Sequence, residues 1–180
     1  MESTAKTTWV IDPMHSEIHF KVKHLVISSV TGAFDRFEGK VISAGDDFTG
    51  ATVEFSADVD SISTNQPDRD GHLKSADFFD AANHPKLTFV STGFKQGGRL
   101  GFIVSGDLTI RGITRIVELD VEFGGIAGDP YGNTKAGFEL TGKINRKEFG
   151  LHWNALTEAG GMVVGDEVKL LMNVELAKQA

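Results

Sequence analysis

The chain has no cysteine. That absence removes disulfides, thiolate nucleophiles, Fe–S clusters and cysteine-based zinc sites together. Proline is scarce, at 4 in 180 residues, and tyrosine occurs once. Cations are outnumbered: 18 Lys and Arg stand against 25 Asp and Glu, a net charge of -7. No nucleic-acid partner is expected from that balance, because phosphate binding needs clustered cations. The same acidity disfavours attachment to anionic membranes by charge alone. No run approaches the length of about 18 apolar residues that a membrane-spanning helix needs. The stretch Met1 to Trp9 carries neither a basic region nor an apolar core, so no signal peptide is visible. The expected compartment is the cytoplasm, or the periplasm if the sequence is a processed form.

Glycine and phenylalanine are in excess. There are 21 glycines, where ordinary usage would give roughly 13, and 13 phenylalanines. Alternation of period two dominates. Ile18, Phe20 and Val22 alternate with His19, Lys21 and Lys23, and Val117, Leu119, Val121 and Phe123 alternate with Glu118, Asp120 and Glu122. Val168, Leu170, Met172, Val174 and Leu176 share one face near the end of the chain. Such strands have one apolar and one wet face, as in an antiparallel sheet or barrel. The spacing predicts about eight strands, over 7–24 (broken at Pro13), 33–44, 50–59, 86–95, 99–110, 114–124, 134–145 and 165–177. Gly124 to Asn133 reads as a longer loop. Two segments lack alternation. Residues 67–80 are expected to form a short helix opened by Pro67, and 149–162 a loop with a short helical piece. The expected fold class is all-β: residues 1–180 form one domain, an extended eight-stranded antiparallel barrel capped by the 67–80 helix. Closure removes the exposed edges of a twisted sheet. Its interior is either a filled core or an oily cavity, and alternation does not separate the two.

The chemical constellations are incomplete. His15, His19 and His24 form the densest histidine group, but His24 has the opposite strand parity, and no metal is expected. Asp68-Arg69-Asp70-Gly71-His72 could support acid–base chemistry on a hydrophobic substrate, with Asp70 and His72 as the pair. It lacks a nucleophile and an oxyanion-hole motif, and ion pairs pinning the helix to the rim account for it equally. There is no Gly-X-Ser-X-Gly elbow, no Gly-X-Gly-X-X-Gly and no Walker A motif. The aromatic set is the most suggestive feature. Trp9, Phe20, Phe34, Phe37, Phe55, Phe78, Phe79, Phe89, Phe102, Phe123, Phe138, Phe149 and Trp153 exceed what a small barrel must bury, and as a set they could line a tunnel for an apolar ligand.

The residues also resemble a known family. The run Trp9-Val10-Ile11-Asp12-Pro13-Met14-His15-Ser16 comes first, then Ile18-X-Phe20-X-Val22-X-His24-Leu25, Gly32-X-Phe34 and Phe37-X-Gly39. Arg69-Asp70-X-His72-Leu73-X-Ser75-X-Asp77-Phe78-Phe79-Asp80 is next, then Pro85-X-Leu87-Thr88-Phe89 and Gly106-Asp107-Leu108-Thr109-Ile110-Arg111-Gly112-Ile113-Thr114. Asn145-Arg146, Phe149-Gly150 and Val164-Gly165-Asp166-Glu167-Val168 complete the pattern. In this order, from about Trp9 to Leu176, they resemble the YceI-like family, bacterial lipid-binding proteins with a lipocalin-like barrel. Ile116 and Glu148 depart from its usual Pro and Asp. The resemblance implies a long apolar tunnel holding a polyisoprenoid or quinone-like lipid, no catalysis, no other cofactor, and a homodimer. It places Arg69, Asp70, His72 and Leu73 in a capping segment, with His15 and Arg146 as further polar residues of the lid or rim. From alternation, Phe20, Val22, Phe55, Phe89, Leu108, Ile110, Phe138 and Leu140 face inward toward the lipid. Phe34, Phe78, Trp153 and Leu170 join them as expected tunnel residues.

Overall fold

The alternating segments pair into one antiparallel sheet that closes on itself. The computed structural model describes residues 5–155 and 163–180. The strands are β1 (Lys6–Ile11), β2 (Glu17–His24), β3 (Ser28–Phe34), β4 (Phe37–Ala44), β5 (Asp47–Asp58), β6 (Ile62–Ser63), β7 (Lys86–Gly97), β8 (Gly101–Ile110), β9 (Ile113–Gly128), β10 (Thr134–Asn145) and β11 (Val164–Lys178), with one helix, α1 (Pro67–Lys74). The order is β1-β4-β5-β7-β8-β9-β10-β11-β2-β3-β6, and β1 also pairs with β11. β1 and β2 are one strand broken at Pro13, β3 and β4 one strand broken at Asp35-Arg36, and β6 is a two-residue stub. The wall is therefore a closed eight-stranded antiparallel barrel. β11 spans its height: its first half pairs with β2 and its last residues pair with β1.

Sequence expectation and structure part at four places. The span 33–44 is two strands, and β3 starts earlier, at Ser28. Ser28, Ser29, Thr31, Gly32 and Ala33 give β3 little apolar alternation. Gly32 leaves room for Phe20, whose ring would have to shift if a Cβ stood there. The helix expected over 67–80 stops at Lys74, where Ser75 caps it with its N–H on the His72 carbonyl. The loop expected after Gly124 is shorter, because β9 runs on to Gly128 through a bulge opposite Gly137 and Phe138, with Gly125 at φ 111°. Of the segment 149–162, Arg146–Phe149 is a 3-10 turn and 150–155 is irregular. The helical piece expected beyond lies outside the described residues.

The two ends of the barrel differ. At one end, the floor, Trp9, Phe48, Phe123, Phe138, Phe94 and Phe102 pack ring on ring, with neighbouring centroids 4.9 to 6.5 Å apart. The connection from β5 to β7 carries α1 and the Phe78-Phe79 turn over the other end. Midway the wall is interrupted. The β1–β4 ladder ends at Val10 opposite Lys40, and the β2–β3 ladder begins at His19 opposite Ala33. Between them, Asp35 and Arg36 direct their N–H groups to Ser61 instead.

Trp9 is completely buried, and its indole N–H donates to Ser43 Oγ at 2.8 Å. Ser43→Ala leaves that donor buried without a partner. We expect a loss of about 1–3 kcal/mol, read as a lower urea midpoint with an unchanged m-value.

Candidate functional site

Above the aromatic floor the lumen holds a cavity of about 240 Å³ whose surface is almost purely apolar. Alternation on a closed wall produces it, since every second side chain points inward and the inward ones are hydrocarbon. Phe20, Val22 and Phe34 reach it from β2 and β3, Phe55 and Phe89 from β5 and β7, and Leu108 and Ile110 from β8. Phe138, Leu140 and Leu170 reach it from β10 and β11. Phe78 forms part of the roof together with Leu73 and Phe79, whose place there alternation could not reveal. Trp153 stands in the lid beside the cavity, its ring 4.6 Å from that of His72 and 5.3 Å from that of Phe78. Apolar cavities of about 150 Å³ stay dry and admit benzene. A larger one with this lining is suited to hydrocarbon and poorly suited to water.

The polar residues of the lid are spent on holding it. Arg69 donates from Nε to Thr64 Oγ1 at 2.7 Å and from Nη2 to the Thr64 carbonyl at 2.8 Å. Asp70 Oδ1 accepts from the Thr64 N–H at 2.8 Å and from its hydroxyl at 2.6 Å. Gln66 caps α1 by accepting from the Arg69 N–H. His72 Nε2 lies 2.9 Å from Asp77 Oδ2. Asp70 and His72 thus serve different partners, and the acid–base pair considered for 68–72 is not assembled.

Arg146 is 3% exposed and borders the cavity. Its guanidinium donates to the carbonyls of Gly165 (2.8 Å), Trp153 (2.8 Å), Val164 (3.3 Å) and Leu151. Burial lowers its pKa, and Asp166 partly opposes the shift. An arginine remains cationic at neutral pH even so. Arg111 is a second staple, which the sequence showed only as a turn residue. From φ 52° it donates to the carbonyls of Phe78 (2.8 Å) and Gly150 (3.3 Å).

His15 does not belong to this group, which corrects its expected place at the lid or rim. The Pro13 break turns it onto the outer wall, toward the floor end of β11, where it joins Asp12, Lys135 and Glu175. Lys135 Nζ and His15 Nδ1 each lie 2.8 Å from Asp12 Oδ2. The hydrogen bond from Lys135, then that from His15, lower the Asp12 pKa to about 2. Asp12 raises that of His15. Asp12, His15 and Glu175 are close enough to share an ion, and the Lys135 ammonium already stands 2.8 Å from Asp12 and 3.9 Å from Glu175. His19 turns to Glu17 at 3.3 Å, and among the described residues the three histidines do not gather.

Comparison with known proteins places this geometry. The YceI-like domain model matches residues 9–176. A UPF0312 protein of Staphylococcus aureus (strain USA300) is 37% identical over 172 residues, covering 95% of this chain and 98% of its own. The crystal structure of the YceI protein of Campylobacter jejuni superposes with a TM-score of 0.72 at 30% identity, over 88% of this chain and 90% of that one. A polyisoprenoid-binding domain from Saccharophagus degradans, implicated in plant cell wall breakdown, shares the fold, with a TM-score of 0.64 at 16% identity, over 98% and 100% of the two chains.

Two outcomes are expected. Arg146→Lys keeps the charge but cannot fork to several carbonyls. With buried carbonyls left unpaired it should lose about 2–4 kcal/mol by urea unfolding. Asp12, depressed when folded, contributes stability that is fully present above its unfolded value of 3.8. That contribution is lost as pH falls through about 2. Asp12→Asn should therefore be less stable than the parent by about 1 kcal/mol near neutral pH, and the gap in urea midpoints should close between pH 4 and pH 2. His15 acts in the opposite direction: its contribution is complete below its unfolded value of 6.5 and is lost as pH rises through its raised folded value.

Proposed function

The chain belongs to the YceI-like family, and from that premise we propose that it is a non-catalytic carrier, binding a long apolar lipid of polyisoprenoid or isoprenoid-quinone type in its lumen for storage or transport. The observation that carries the reading is the apolar cavity under a stapled lid. Hydrocarbon transfer gains about 0.8 kcal/mol per CH₂. Three isoprene units, about fifteen carbons, would gain roughly 12 kcal/mol before ordering costs are subtracted. No charged partner is then needed, and the Arg146 donors are already engaged by carbonyls. Phe20, Val22, Phe34, Phe55, Phe78, Phe89, Leu108, Ile110, Phe138, Leu140 and Leu170 would touch the chain of the lipid, and Trp153 would support the roof. The homodimer and the cytoplasmic site expected from the sequence belong to the same reading.

Native mass spectrometry of gently purified protein tests it. The expected result is a discrete added mass that leaves on denaturation and reads as an isoprenoid. Filling the lumen with Leu140→Trp and Leu170→Trp together should reduce that occupancy at least tenfold while leaving the fold intact by circular dichroism. A bare polypeptide from the native host, or undiminished occupancy in the filled variant, would overturn the proposal. The same spectrum reads the oligomeric state.

A further inference from the structure

The hairpin tip between β2 and β3 is built against the ordinary rules for water. The loop between the paired residues His24 and Ser28 has three residues, Leu25 to Ile27, and positive φ in hairpin loops is ordinarily left to Gly or Asn. Here Leu25 and Val26 hold φ 54° and 66°, and a β-branched residue in that region is a genuine outlier. Val26 is 76% exposed and its neighbour Ile27 85%. The tip stands at the covered end of the barrel. The Leu25 N–H donates to the Val163 carbonyl at 2.9 Å, and Val164, opposite His24, lines the cavity.

The outer wall below the tip carries a second anomaly. Lys21 of β2 lies directly opposite Lys169 of β11, which lies directly opposite Lys143 of β10. Like charges directly opposite are destabilising. Lys23 extends the row toward the tip. Lys143 has Glu167 at 3.6 Å, while among the described residues Lys21, Lys23 and Lys169 have no carboxylate within 4 Å. Acids also stand on these strands, with Glu17 on β2, Glu139 on β10 and Glu175 on β11 nearer the floor and Glu167 beside Lys143, so the lysines gather at the tip end of this face. The net negative charge thus conceals a cationic face beneath an aliphatic point.

We propose that this hairpin is a membrane-docking finger. Val26 and Ile27 enter the outer layer of an anionic phospholipid bilayer, and Lys21, Lys23, Lys143 and Lys169 meet its phosphates. An aliphatic insertion combined with a basic patch is the pairing that interfacial attachment requires. The purpose of docking rests on the carrier reading, since a lipid cargo is exchanged where membrane meets barrel mouth, but the attachment itself does not.

The test is co-sedimentation of the full chain with phosphatidylcholine vesicles containing phosphatidylglycerol, and with phosphatidylcholine alone, at low salt and at about 0.5 M. Binding to the anionic vesicles is expected, weakened by salt. Val26→Ser with Ile27→Ser should lower the bound fraction at least tenfold, and Lys21→Gln with Lys169→Gln should lower it and flatten its salt dependence. Neither variant should melt below the parent, the glutamine variant being relieved of opposed like charges. Absence of binding by the parent, or binding by the serine variant equal to the parent's, would overturn the proposal. So would a native dimer that becomes monomeric in the serine variant, which would assign the tip to a second copy. Lipid content of the lumen, read separately by native mass, keeps the two proposals apart. An empty barrel that still docks through Val26 and Ile27 sinks the carrier alone, and a loaded barrel that ignores vesicles sinks the finger alone.

Discussion

Three residue pairs close the barrel: Trp9 with Lys178, Val10 with Ala177 and Ile11 with Leu176. Without them the sheet would be an open, twisted array with two unpaired edges. Its inner face would be wetted on one side instead of enclosing a cavity. The burial of Trp9 at this join, with its N–H satisfied by Ser43, locks the first strand where the last one needs it. The aromatic floor, the apolar lumen and the lid presuppose that closure, because a side chain is inside only when there is an inside.

Once the wall is closed, the hydrogen-bonding needs that remain belong to the segments crossing its end. Arg146 and Arg111 meet them, and the guanidinium suits the task because its planar fork serves several carbonyls at once. The two arginines hold three pieces of chain together: the Phe78-Phe79 turn, 150–153 and the start of β11. Asn154 adds a third tie, accepting from the N–H groups of Val163 and Val164. Polar chemistry at this end is architectural. These donors hold the segments that cover the hydrophobic lumen.

The barrel and its inward residues were legible because strand alternation is a local signal, and closure turns each apolar parity into a lumen face. Phe20, Phe55, Leu108 and Phe138 share the lumen for that reason. β3 was illegible because serine, threonine and glycine carry no face, and Gly32 is explained only by Phe20 lying over it. His15 was misplaced because a proline break resets parity, so residues just past Pro13 cannot be faced by counting. Arg146 was placed at the rim by the family resemblance, whereas Arg111 escaped notice as a staple because its partners are carbonyls, which every residue possesses. The lysine row was equally invisible: Lys21, Lys143 and Lys169 are far apart in the chain, and cross-strand register alone brings them side by side.

The break in the wall at Asp12–Ser16 and Asp35-Arg36 has a bearing on cooperativity. A backbone ladder that stops at Val10 opposite Lys40 and resumes at His19 opposite Ala33 divides this side of the barrel into two storeys. The lower storey contains the stacked rings and the closing pairs, and the upper contains the hairpin and the roof. Native proteins open in contiguous units, each with its own free energy. An interrupted ladder is where one such unit ends. The upper storey can then exchange its amide hydrogens on a faster clock than the floor, parting at the top while the foundation stays folded.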